Sequence, residues 1–135
     1  MAFTPNAVTD GSAIYPYNAD NGSDFWGANG PTTVSIAPII ATTGGSPNTI
    51  LAGTSGKKIV VVALFVVNAV AGTVQLQDSA ATNLSGVLTL AANQSLILPP
   101  NKYGYFTTTV SGNGLQLVVT GTSNIVGGSF AYYLL

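Results

Sequence analysis

Few side chains in this 135-residue chain can do chemistry: Asp10, Asp20, Asp24 and Asp78, against Lys57, Lys58 and Lys102, with no Arg, Glu, His or Cys. Glycoside hydrolysis needs two carboxylates flanking the bond, but three of the Asp fall in the first 24 residues and Asp78 stands alone. The many Ser and Thr hydroxyls have no His, Cys, Glu or Arg to serve as general base or oxyanion clamp. Asp20-Asn21-Gly22-Ser23-Asp24 imitates the start of a calcium loop, yet Pro31 stands where the closing Glu belongs. It reads instead as a turn whose Asn and Asp cap their own backbone. Lys57-Lys58 reads as a solvated strand entrance that discourages edge pairing. Gly44-Gly45-Ser46-Pro47 lacks the Lys-Ser/Thr and the helix of a phosphate loop, and reads as a hinge. No catalytic, cofactor or metal site is expected, and the chain is not expected to be an enzyme.

Charged residues make up 5% of the chain, where about 25% is usual. The hydrophobic share is an ordinary 47%, so Thr, Ser, Asn and Gly have replaced the charges and the surface is polar but uncharged. A net charge of -1 offers no basic footprint for phosphates, which argues against nucleic acid. The longest apolar run, Ile59 to Val67, has nine residues, against about 20 for a membrane helix. No membrane partner is expected. The first residues show neither a cationic region nor an apolar core, so they read as a cytoplasmic start and not as a secretory signal.

Five of the seven prolines precede residue 50, scattered among glycines, so helices are excluded there and residues 1–47 read as an extended N-terminal arm. Spaced anchors (Ile14, Tyr15, Tyr17, Phe25, Trp26, Val34, Ile36, Ile39, Ile40) distinguish it from a plain linker. One Trp on an arm suits insertion into a partner's pocket. From residue 48 the pattern changes to short β-branched and Leu-rich runs broken by Gly, Asn and Ser, the rhythm of an all-β fold. Strands are expected near 48–52, 58–68, 73–78, 86–91, 95–98, 103–110, 115–120 and 127–134. They form a jelly-roll-like β-sandwich of about eight short strands over 48–135.

Thr73 to Asp78 alternates as a half-buried strand should, with Val74 and Leu76 on one face and Gln75 and Gln77 on the other. The 58–68 strand does not. Strict alternation puts Ile59, Val61, Ala63, Phe65 and Val67 on one side and Val60, Val62, Leu64 and Val66 on the other, both apolar. The last strand repeats this, with Phe130, Tyr132 and Leu134 against Ala131, Tyr133 and Leu135. A second apolar face must be covered by the arm, another subunit or a host surface. A homo-oligomer is therefore expected, with Val60, Val62, Leu64, Tyr132 and Tyr133 at the subunit interface. Tyr15, Tyr17, Phe25, Trp26, Ile36 and Ile39 are the expected contacts of the arm.

Gly56-Lys57-Lys58-Ile59-Val60-Val61-Val62, Ala71-Gly72-Thr73-Val74, the block from Thr82 to Leu90 and the ending Gly127-Gly128-Ser129-Phe130-Ala131-Tyr132 together resemble a small β-domain of tailed-bacteriophage virions. The resemblance covers about residues 50–135. It implies a capsid decoration, or cement, protein: a jelly-roll domain, commonly trimeric, on the outer capsid surface of the virion. Its partner would be the major capsid protein, with the arm laid across the shell. Fibre and tail proteins carry similar signatures. The alternative is thus a receptor-binding or adhesin module that recognises a host glycan or protein through Asn83, Asn93, Gln94, Asn101, Tyr103 and Tyr105.

Overall fold

The apolar runs become strands and the Gly, Asn and Ser clusters become their turns. A computed structural model describes residues 33–135. In it β1 (Ser35–Thr42) leads through a 3-10 turn (Thr43–Gly45) to β2 (Asn48–Leu51), β3 (Ile59–Asn68), β4 (Gly72–Asp78), β5 (Leu88–Leu90), β6 (Ser95–Leu98), β7 (Phe106–Thr107), β8 (Leu115–Val119) and β9 (Ile125–Leu134). One sheet has the order β1-β9-β3-β6, with β7 also on β3, and the other β2-β8-β4-β5. Every pairing is antiparallel. The pairs β1 with β9, β2 with β8, β3 with β6 and β4 with β5 nest inside one another, so the chain is one long ribbon folded over into two sheets. That is a jelly roll, and its fold class is the one the sequence pattern implies.

Between the sheets Ala37, Ile39 and Ala41 of β1, Ile59, Val61, Leu64 and Val66 of β3, and Val126 and Phe130 of β9 meet Val74, Leu76, Leu90, Leu115, Leu117 and Val119 of the second sheet. Strand β1 falls within the stretch read as arm. Pro38 and the neighbouring glycines hid it, because proline argues against a central strand but is accepted on an edge. Among the described residues β1 lies at the edge of its sheet and pairs only with β9, Pro38 facing Ser129. The sandwich therefore includes residues 35–47 of the stretch read as arm. Ile39, expected to contact the shell or a neighbour, is 1% exposed in the protein's own core. The expected strand at 103–110 shrinks to β7, because Asn101 Oδ1 accepts the Tyr103 amide at 3.0 Å and turns the chain.

Strict alternation along β3 also fails, for a local reason. Val61 pairs with Tyr132 and Ala63 with Ala131, so Val62 is an extra residue in a β-bulge. Ile59 and Val61 face the core before it, and Leu64 and Val66 after it. Leu64, expected at a subunit interface, is thus a core residue. Tyr132 packs on the same core, its ring 5.6 Å from that of Phe130. Val60, Val62 and Tyr133 do lie on the outer side, where they form a small buried cluster with Val34 and Ala131. The chain itself covers part of it: Asn101 and Tyr105 donate backbone N–H groups to the Val62 and Val61 carbonyls at 2.8 and 2.7 Å. The two-sided apolar pattern is therefore met within the protomer at this end of β3.

Strands β9 and β3 also approach closely at Gly128. Its φ is +150°, and a Cβ there would lie 1.9 Å from the Phe65 carbonyl oxygen. Gly128→Ala is expected to cost about 3 kcal/mol or more through strain and strand separation. A denaturant midpoint equal to wild type would show that the two strands part freely.

Candidate docking surface

Alternation sends Ile36, Pro38 and Ile40 of β1 to the outside of the first sheet, opposite Ala131, Ser129 and Gly127 of β9. Beyond β9, Phe65 faces Ser129 on one side and Ile97 of β6 on the other. Side-chain size then shapes the face. Gly127, Ser129 and Ala131 form a low floor along β9, with Ile36 and Ile40 as one wall and Phe65 and Ile97 as the other. A cavity of about 330 Å³ occupies this trough between Ile36 and Ile97, bounded further by Ala63, Pro99 and Pro100. A Cβ on Gly127 would meet nothing within 4 Å, so the floor is open there. The walls stand in solvent: Ile40 is 78% exposed, Ile36 76%, Ile97 62% and Phe65 42%.

With rows of paired residues about 6.8 Å apart and strands about 4.8 Å apart, the face measures about 300 Å². None of the residues forming it is charged. An apolar patch of that size lies in the range where monomer patches are often functional.

The outer face of the second sheet is built differently. Gln77 Nε2 donates to Gln116 Oε1 at 2.9 Å, Gln116 Nε2 to Thr49 Oγ1 at 3.4 Å, and the Thr73 and Thr120 hydroxyls lie 2.7 Å apart. These groups satisfy one another in a polar, uncharged ladder. The molecule thus has one outer face that water accepts and one that it does not.

Asp78 is the only charged side chain among the buried described residues. Its Oδ1 accepts from the Ala80 and Thr82 amides at 3.0 and 3.1 Å, and its Oδ2 from the Thr109 amide and Asn113 Nδ2, each at 3.1 Å, and from the Thr109 hydroxyl. Burial alone would raise its pKa. The hydrogen bonds from Thr109, Asn113 and Thr82 outweigh that and hold the carboxyl well below the usual carboxylate range. With both oxygens taken by donors, the group is a structural clasp for two loops, β4–β5 and β7–β8, neither a base nor a ligand. Nothing about its lone position in sequence signals this.

Among the described residues no group of three or more His, Cys, Asp or Glu could hold a metal, and no helix is long and apolar enough to cross a membrane. Tyr15, Tyr17, Phe25 and Trp26 lie outside the described residues. Of the expected arm contacts, Ile36 stands on the trough wall and Ile39 in the core. Three of the six loop side chains that could have read a glycan serve turns: Gln94 Oε1 accepts the Ala91 amide at 2.7 Å, Asn101 Oδ1 accepts the Tyr103 amide at 3.0 Å, and the Tyr105 hydroxyl donates to the Pro99 carbonyl at 2.7 Å, while the Tyr103 ring stands 73% exposed. Sequence reasoning singled out the buried faces of β3 and β9 and missed the trough, since Ile40 and Ile97 become neighbours of Ile36 and Phe65 only through strand order. No protein-family model matches the chain, and no curated protein matches it either.

Proposed function

We propose that the chain is a structural virion protein that decorates and cements the capsid of a tailed bacteriophage. It would bind the major capsid protein on the outer surface, as a homo-oligomer that the resemblance makes a trimer. The observation that carries this reading is the uncharged apolar face beside the N-terminal end of β1, where the arm joins the sandwich. A surface without charge docks on a shell with little desolvation cost, and its apolar walls gain from burial. A protein–protein interface usually buries about 800 Å² per partner, so a face of about 300 Å² needs further contacts. The arm, with Phe25 and Trp26, supplies them, and linked weak contacts reinforce each other through effective concentration. Bridging subunit boundaries in this way stabilises the assembled shell by mass action.

The adhesin reading has less support, because three of the loop side chains it needs, Gln94, Asn101 and Tyr105, are engaged in local turns. Partner choice separates the two. Removing residues 1–32, which leaves β1 in its sheet, is expected to lower affinity for shells by at least about 100-fold, the scale on which linked contacts act. Co-sedimentation with capsids and with host cells measures this. Unchanged capsid binding by the truncated chain would remove the arm from the mechanism, and cell binding by both forms would favour the adhesin.

A further inference from the structure

The trough raises a problem for the free protein. With seven charged residues in 135, little electrostatic repulsion keeps copies apart, and an open apolar face invites association. We infer that before the protein meets any partner the trough is filled by its own arm, through the segment around Ile14-Tyr15-Pro16-Tyr17.

Four observations select this occupant. The face, at about 300 Å², is too small to hold two copies together face to face, since stable interfaces need about 800 Å² per partner. It does suit one extended segment: a trough about 20 Å long takes six or seven residues at about 3.3 Å each. Secondly, 32 residues precede the described chain, and they join it at the head of the trough, where Val34 already packs on the outer-face cluster of Val60, Val62 and Tyr133. Thirdly, the lining is uncharged, and Gly11 to Ala19 is a nine-residue window without charge, closed at its ends by Asp10 and Asp20. Neither carboxylate enters an apolar trough without a large desolvation cost, so the window is held in register. Fourthly, Tyr15 and Tyr17 are two residues apart, as are the floor positions Gly127, Ser129 and Ala131. In an extended chain both rings point the same way, at the repeat of the floor. Phe25 and Trp26, being adjacent, would point to opposite sides. Pro16 removes an N–H that side-chain docking does not need, and it favours an extended conformation at Tyr15.

Reach does not oppose the return. A random coil of 17 residues, the number from Asn18 to Val34, averages about 21 to 25 Å end to end, close to the trough's length. Intramolecular docking over such a distance acts at millimolar effective concentration. It closes residues 18–34 into a loop that contains Phe25 and Trp26. The inference concerns the free protein and does not depend on the capsid reading.

The test uses the full-length chain with labelled isoleucine methyl groups. In wild type the Ile36 and Ile97 methyl signals are expected to move upfield under the tyrosine rings, independently of dilution. They should return toward ordinary positions in the double variant Tyr15→Ser/Tyr17→Ser. Gly127→Val provides a second probe, because a Cβ at this position meets nothing within 4 Å and the branches beyond it would fill the open floor. It is expected to release the same signals while leaving the melting temperature unchanged or raised, since glycine weakens a strand interior. Identical Ile36 and Ile97 signals in wild type and the tyrosine variant would overturn the inference. Shifts that fade on dilution would do so too, by assigning the trough to another copy's arm.

Discussion

Replacing Asp78 with Ala is expected to be the most destabilising single change away from the hydrophobic core. The substitution leaves the Ala80, Thr82 and Thr109 amides, the Thr109 hydroxyl and the Asn113 amide without their acceptor at a part-buried site. Unsatisfied buried donors cost about 1–3 kcal/mol each before relaxation and water entry, so a net loss of about 3–5 kcal/mol is expected. Asp78→Asn should lose nearly as much, because its amide nitrogen would point a donor at donors. Acid should act on the same group. The folded carboxyl titrates well below its unfolded value of about 3.9. Its contribution is therefore complete above about pH 5 and is lost progressively as pH falls through the unfolded value toward the folded one. Urea titrations from pH 7 to pH 2 check both statements: wild type should weaken with acid, and Asp78→Asn should be weaker at pH 7 but less sensitive below pH 5. An Asp78→Asn protein as stable as wild type at pH 7 would contradict the clasp.

The double substitution Ile36→Asp/Ile97→Asp is expected to have the largest effect on docking. Both side chains are mainly exposed, Ile36 on edge strand β1 and Ile97 on β6, so each change should alter stability by only about 0.5 kcal/mol. On the trough walls, however, two carboxylates must be desolvated before any apolar partner can seat. Central apolar anchors of an interface typically contribute 2 kcal/mol or more each, so affinity for a shell should fall by at least about 100-fold. Equilibrium binding to immobilised shells, with melting temperature as a control for folding, measures this. Binding at wild-type strength by the folded double variant would place the docking surface elsewhere.

Composition and periodicity made most of the fold legible. Strands β2, β4, β6 and β8 lie where Asn48-Thr49-Ile50-Leu51, Thr73 to Asp78, Ser95 to Leu98 and Leu115 to Val119 place them, because alternation and turn residues act locally. Strand β1 was hidden by Pro38, which only an edge position tolerates. The facing of β3 was hidden by the bulge at Val62, since one extra residue exchanges inside and outside and leaves no mark in an unbroken apolar run. For the same reason Leu64 faces the core and not a neighbour. The trough was partly legible. Ile36 stood out as an exposed anchor, whereas Ile97 looked like any strand residue until strand order set it beside Phe65. Asp78 was visible only as a solitary acid, because its five donors come from segments up to 35 residues away.

Co-sedimentation of the purified full-length protein with tailed-phage shells that lack it tests the proposed role most directly, with host cells as the parallel target. The expected result is saturable pelleting with shells, weakened by Ile36→Asp/Ile97→Asp and by removal of residues 1–32, and no pelleting with cells. Protein that stays in the supernatant with shells at every concentration, or that pellets with cells alone, would contradict the capsid-cementing role.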